Sequence, residues 1–148
     1  MPEMTEQTTD VRTRLDRGVL WVTLSRPGAL NAFTAAMADR LAEVAEGAAA
    51  RDDVRLLVLT GTGLAFSTGA DLSGEDAHEH FSVAASDRAN RIVRALTRLD
   101  KPVVAAVNGV AAGLACSVAL AADVIVAAES ASFLLGTQRV GLMPDGGA

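Results

Sequence analysis

The chain has 148 residues, half of them hydrophobic, 21% charged and only 3% aromatic, with a formal net charge of −5. So much apolar content excludes a disordered chain. The few aromatics and the acidic balance argue against stacking on single strands or gripping a phosphate backbone, so no nucleic-acid partner is expected. One cysteine excludes a disulfide scaffold and a cysteine-rich zinc site, and fits a reducing, cytoplasmic setting.

The length predicts a single domain. Residues 1–10 are polar, lack the basic start and apolar run of a signal peptide, and read as a flexible tail. Residues 11–17 and 19–25 are strand candidates around Gly18. In the second, Leu20, Val22 and Leu24 alternate with Val19, Trp21 and Thr23, which predicts burial on both faces. Arg26-Pro27-Gly28 breaks the strand. Thr34 is placed to cap a helix with Met37, Leu41, Val44 and Ala45 on its apolar face, ending near Arg51-Asp52-Asp53.

Residues 54–60 form a buried strand candidate, closed by Gly61-Thr62-Gly63. Residues 64–81 read as a loop. A second amphipathic helix follows, with Ala85, Ala89, Ile92, Val93, Leu96 and Leu99 at helical spacing, stopped by Lys101-Pro102. Residues 103–107 predict a strand, Asn108-Gly109 a turn, 113–121 a small-residue helix, and 124–127 and 133–135 two further strands. Helix and strand alternate after the N-terminal pair, which predicts an α/β domain with mostly parallel strands. Pro144-Asp145-Gly146-Gly147 looks like the start of another helix rather than the end of a domain.

Residues 110–128 hold a single charge, Asp123, and are long enough to approach a bilayer span. They are rich in Ala, Val and Gly, and a central Asp would cost about 2.5–3.5 kcal/mol on insertion. No membrane association is expected.

Several motifs reduce to ordinary structure. Gly61-x-Gly63-x-x-Phe66 lacks the third glycine and the immediate helix of a dinucleotide fingerprint. His78 and His80 are two apart, on different faces of any helix, so no metal site is expected. Neither Ser67 nor Ser117 sits in a nucleophile elbow. Cys116 is flanked by Ala115 and Ser117 in an apolar helix and reads as a packed thiol.

Two glycine-bearing segments remain, each following a strand: residues 65–72 and 108–117. Small residues at strand ends allow a ligand close to the backbone. The second segment also opens a helix, whose first N–H groups lack internal partners. Two such donors facing one another would form an oxyanion hole. Ordinary turns with close packing explain the same residues equally well.

Taken together, the segments resemble the crotonase (enoyl-CoA hydratase/isomerase) superfamily. The likeness rests on Arg26-Pro27 with Asn31-Ala32, on residues 56–61 followed by Ala65-Phe66, on residues 101–109, and on residues 140–147. It implies a spiral of repeated ββα units. It also implies that the family's C-terminal helical part, which completes the acyl pocket and the trimer contacts, lies outside these 148 residues. A complete chain would be a homotrimer or hexamer.

The resemblance implies an acyl-CoA thioester as substrate, with no cofactor beyond the coenzyme A it carries. The backbone N–H groups of Ala70 and Leu114 would be the oxyanion donors; the family usually has Gly at the second position. Ser67, Thr68, Gly69, Asp71, Leu72 and Gly113 would line the path of the CoA moiety. Ser117 and Thr137 stand where hydratases of the family carry glutamates, and neither titrates near neutral pH. Asp145 occupies the place of a single acid used by some isomerases, and would equally serve as a helix cap. The favoured reaction is therefore double-bond isomerisation with Asp145 as proton shuttle. Hydration or lyase chemistry through other groups is the first alternative. A non-catalytic acyl-CoA binder or truncated remnant is the second.

Overall fold

The computed structural model describes residues 10–73, 82–141, 144, 146 and 147. The chain starts as a hairpin. Strand β1 (Val11–Asp16) pairs antiparallel with β2 (Val19–Leu24) across a two-residue turn, Arg17-Gly18. Both turn residues have positive φ, 49° and 85°, the geometry that matches the twist of the flanking strands. Strands β3 (Leu56–Gly61), β5 (Val103–Val107) and β7 (Val124–Ala127) then add in parallel, giving a five-stranded sheet in the order β1-β2-β3-β5-β7.

Three shorter strands build a second layer. β4 (Ala65–Ser67), β6 (Val110–Ala112) and β8 (Ser132–Leu134) pair in parallel in that order. Each of the last three repeats thus sends one strand to each sheet, and the expected ββα spiral is present. β4 and β6 lie in segments read from sequence as loop and turn. Three residues are too few to reveal a period, and only pairing across repeats defines these strands.

Helix α1 (Ala35–Ala49) begins where Thr34 Oγ1 accepts the Met37 N–H at 3.1 Å. It buries Met37, Ala38, Leu41, Ala42, Ala45 and Ala48. Helix α2 (Val83–Thr97) is capped in the same way by Ser82, whose Oγ accepts the Ala85 N–H at 3.2 Å. The two run side by side in the same direction: Arg88 meets Asp39, and Arg91 makes a two-pronged contact with Glu46 at 2.9 and 2.7 Å. Lys101 does more than precede a helix-stopping proline. Its Nζ donates to the carbonyls of Ala48 and Arg51, neutralising the C-terminal end of α1.

Burial corrects one expectation and adds one finding. In β2 only Leu20, Val22 and Leu24 are buried, while Val19, Trp21 and Thr23 are half-covered, so the strand has one core face. β7 is apolar in sequence yet exposed along its whole length. The segment weighed as a bilayer span divides into β6, helix α3 (Leu114–Leu120) and β7. Among the described residues no helix is long and apolar enough to cross a membrane.

Candidate active site

The site lies where the short strands β4 and β6 end. After β4 the chain turns through Thr68, Gly69 and Ala70, and nearly every amide there is engaged. Thr68 donates to Leu30 O, Gly69 to Ser67 Oγ at 3.1 Å, and Asp71 to Phe33 O at 2.9 Å. Phe33 in turn donates to Gly69 O at 2.7 Å. The Ala70 N–H, between these bonds, donates to no carbonyl or side chain among the described residues.

The second segment has the same character. Gly113 donates to Leu134 O at 2.9 Å, which ties it to β8. It precedes α3 with φ 54° and ψ −125° and supplies no side-chain cap. The Leu114 N–H is therefore one of the helix-start donors without an internal acceptor. The unusual backbone geometry falls on Gly113, so position 114 needs only helical dihedrals. This explains how Leu114 replaces the family's glycine: its side chain is buried in the core and its N–H stays available.

The two segments touch. A Cβ added to Gly69 would stand 2.6 Å from Ala112 O and 3.4 Å from Leu114 N. Gly69 also has φ 88°. Any side chain there would force the loops apart, so glycine sets the spacing between the two segments that carry Ala70 and Leu114. Ser67, Gly69 and Gly113, expected along the ligand path, all belong to this junction. Leu72 is half-exposed at its edge.

Two asparagines hold the turn behind the site. Asn31, fully buried, donates through Nδ2 to Thr62 O and Ala65 O, both at 2.9 Å, and accepts the Arg26 N–H at 2.8 Å. Asn108 approaches from the other side, donating to Gly63 O and Ala65 O at 3.0 Å and accepting the Gly61 N–H at 3.1 Å. The sequence reading took both as parts of a signature or a turn. Their work as side-chain clamps needed the fold, because apart from Arg26 their partners lie more than thirty residues away.

Asp71 is the most perturbed carboxylate near the site. Ser73 donates to it from Oγ at 2.6 Å and from N at 3.0 Å, and Arg26 Nη2 lies 2.9 Å away. These donors, Ser73 first, hold its pKa down to about 2. The Cys116 thiol donates to Ala111 O, and burial pushes its pKa up, as expected of a packed thiol.

Ser117 is buried in α3, one turn beyond Leu114. A Cβ on Gly146 would lie 2.7 Å from Ser117 Cβ and 3.2 Å from Val93 Cγ2, so Gly146 packs closely against this point. Thr137 is half-buried in a one-turn 3₁₀ helix (Gly136–Val140), and its Oγ1 is buried with no hydrogen-bond partner among the described residues. Asp145, His78 and His80 lie outside the described residues, as do residues 1–9 of the expected tail.

The Ala70 and Leu114 N–H groups lie on two strand-end segments that meet at Gly69, with Asn31 and Asn108 clamping the turn between residues 61 and 65. The sequence pattern of the enoyl-CoA hydratase/isomerase family matches residues 14–148. The chain belongs to this family. It is 37% identical over 142 residues to 1,2-epoxyphenylacetyl-CoA isomerase of Escherichia coli K12, covering 93% of this chain and 54% of that protein. It is 39% identical over 129 residues to 2,3-dehydroadipyl-CoA hydratase of the same organism, covering 87% and 50%. A crystal structure of an enoyl-CoA hydratase from Mycobacterium avium subsp. paratuberculosis K-10 superposes with a TM-score of 0.84 at 38% identity, covering 95% of this chain and 53% of that one. The chain thus spans about half the length of the relatives it matches, and both isomerases and hydratases carry this half.

Proposed function

We propose that this enoyl-CoA hydratase/isomerase family member binds an acyl-CoA thioester and shifts its double bond by proton transfer. The observation that carries the reading is a pair of N–H groups, Ala70 and Leu114, with no acceptor among the described residues, on loops held in contact at Gly69. The thioester oxygen accepts from both. With that oxygen held, the Asp145 carboxylate removes a proton from C2 of a 3-enoyl-CoA. The electron pair moves into the carbonyl and gives an enolate. Asp145, now protonated, returns the proton to C4, and the double bond comes to lie between C2 and C3. One carboxylate serves both steps, and no cofactor is needed beyond the CoA of the substrate.

Isomerisation is favoured over water addition because Ser117 and Thr137 offer hydroxyls where hydration would use two carboxylates. Gly146 lies against Ser117, one helical turn from Leu114. The test is conversion of a 3-enoyl-CoA to its conjugated isomer, followed by absorbance, beside hydration of crotonyl-CoA. Asp145→Asn should lower isomerase turnover by about 10²–10⁴-fold with acyl-CoA binding nearly unchanged. Rapid hydration of crotonyl-CoA, unaffected by Asp145→Asn, overturns the isomerase reading. Binding without either reaction favours a non-catalytic acyl-CoA binder.

A further inference from the structure

Arg26 closes the first strand pair, and its hydrogen bonds run in three directions. Its backbone N–H donates to Asn31 Oδ1 at 2.8 Å, and Nη1 donates to Ala32 O at 2.7 Å. Nη2 lies 2.9 Å from Asp71 Oδ2, and Nε lies 3.7 Å from Asp10 Oδ2. The guanidinium is three-quarters covered and the Asp71 carboxylate still more so, which sets this pair apart from the exposed ion pairs on α1 and α2.

The consequence concerns Ala70. Its peptide is flanked by the Phe33 N–H bond to Gly69 O and the Asp71 N–H bond to Phe33 O, a single parallel bridge between residues 33 and 70. A lone bridge is weak support for a donor that must point at one oxygen. Arg26 reinforces it on both sides, holding residue 32 just before the bridge and residue 71 just after it. Ser73 fixes the other carboxylate oxygen of Asp71. A lysine ammonium is a compact point charge. It cannot span Ala32 O and Asp71 Oδ2 with a planar fork.

We propose that Arg26 is a positioning residue of the acyl-CoA site, aiming the Ala70 N–H through Ala32 and Asp71 while touching no substrate atom. The inference rests on the proposed acyl-CoA reading. An oxyanion donor contributes most when it already points where charge develops, and small misplacements are costly. Loosening the brace should therefore act on turnover more than on binding.

The test uses the full 148-residue chain and its Arg26→Lys and Asp71→Asn variants. Raman difference spectra of bound crotonyl-CoA read the thioester carbonyl stretch, which falls when the two N–H groups polarise the bond. Wild type should show the lowered frequency. Both variants should move it back toward the value of free crotonyl-CoA, and for Arg26→Lys the dissociation constant should change by less than about threefold. With a 3-enoyl-CoA, kcat should fall by about tenfold to a hundredfold with KM nearly constant. The double variant should lose little more than Arg26→Lys alone, because the two act as a unit. Guanidinium added to Arg26→Ala should restore part of the shift. A lowered carbonyl frequency in wild type that survives in both variants overturns the role of Arg26 and leaves the acyl-CoA reading intact. No frequency change in wild type overturns both. A purely structural role would lower the unfolding midpoint and leave the frequency of the folded fraction unmoved.

Discussion

Strands β5 and β7 are neighbours in one sheet and nearly alike in sequence, Val-Val-Ala-Ala-Val against Val-Ile-Val-Ala, yet their surroundings are opposite. β5 alternates buried and half-buried residues between β3 and β7. β7 is the last strand of the sheet, and Val124, Ile125 and Val126 are 52%, 38% and 60% exposed. The exposed set continues through Leu120 at the end of α3, Phe133 and Leu134 in β8, and Leu135. Strand propensity is the same in both places, so burial here is decided by what stands on either side of the strand.

The sharpest way to break this comparison is to remove one phenylalanine from each end. Phe66, in β4, is completely buried, and Phe133, in β8, is 42% exposed. Phe66→Ala should destabilise the chain by about 3–5 kcal/mol through lost burial and a residual cavity. Phe133→Ala should cost under about 1 kcal/mol in the isolated chain. Denaturant unfolding of both variants checks this. Equal losses would mean that the β7–β8 end is covered in solution.

Cover is the subject of the second prediction. An apolar surface of this extent is unusual for a monomer. The chain should therefore self-associate, with an apparent mass in light scattering that rises with concentration. Val126→Lys should reduce that rise without shifting the unfolding midpoint at low concentration. A mass that stays at one chain throughout the range would count against association.

These two ends also divide what was legible in the sequence. The long strands and both amphipathic helices follow from periodicity, from Thr34 as a cap and from Lys101-Pro102 as a stop. In the buried half, local pattern and tertiary environment agree except in β2, where only one face is core. The short strands β4 and β6 were hidden because three residues carry no period, and their pairing partners lie in other repeats, Ala65 against Val110 and Val110 against Ser132. The exposure of β7 was hidden for the converse reason: an apolar strand announces that it needs a partner and not which one it has. At the site, Ala70, Leu114 and their glycines were readable as strand-end turns, but the two uses of those turns stayed equal until the family likeness was drawn. The roles of Asn31, Asn108, Arg26 and Ser73 were not readable, because each depends on what the fold brings to a side chain.

The acid limb of stability separates the braced loop from the rest of the surface. Asp71 has its pKa lowered from 3.8 to about 2 in the folded chain. A depressed folded value means that the carboxylate contributes stability fully above the unfolded pKa. That contribution is lost as pH falls from about 5 toward 2. Asp71→Asn should therefore be less stable than wild type at pH 6, and the two curves should converge as pH approaches 2. Parallel curves down to pH 2 would mean that the Ser73 and Arg26 contacts do not persist in solution.

The smallest expected effect compares two glycines with open space around them, one at each end of the molecule. Gly47 lies inside α1 and Gly136 starts the one-turn 3₁₀ helix; a Cβ at either would meet nothing within 4 Å, and neither has a positive φ. With no packing to gain or lose, backbone conformation alone decides the outcome. In α1, alanine restricts the unfolded chain and favours the helix, so Gly47→Ala should add about 0.5–1 kcal/mol, somewhat reduced by its place near the C-terminal end. A single 3₁₀ turn has no run of helical hydrogen bonds for that preference to act on, so Gly136→Ala should add less than half as much. Midpoints of urea unfolding at constant slope resolve the difference. A larger gain at Gly136 than at Gly47 would show that the β8 end limits the stability of the whole chain, and would reverse the order of the two regions.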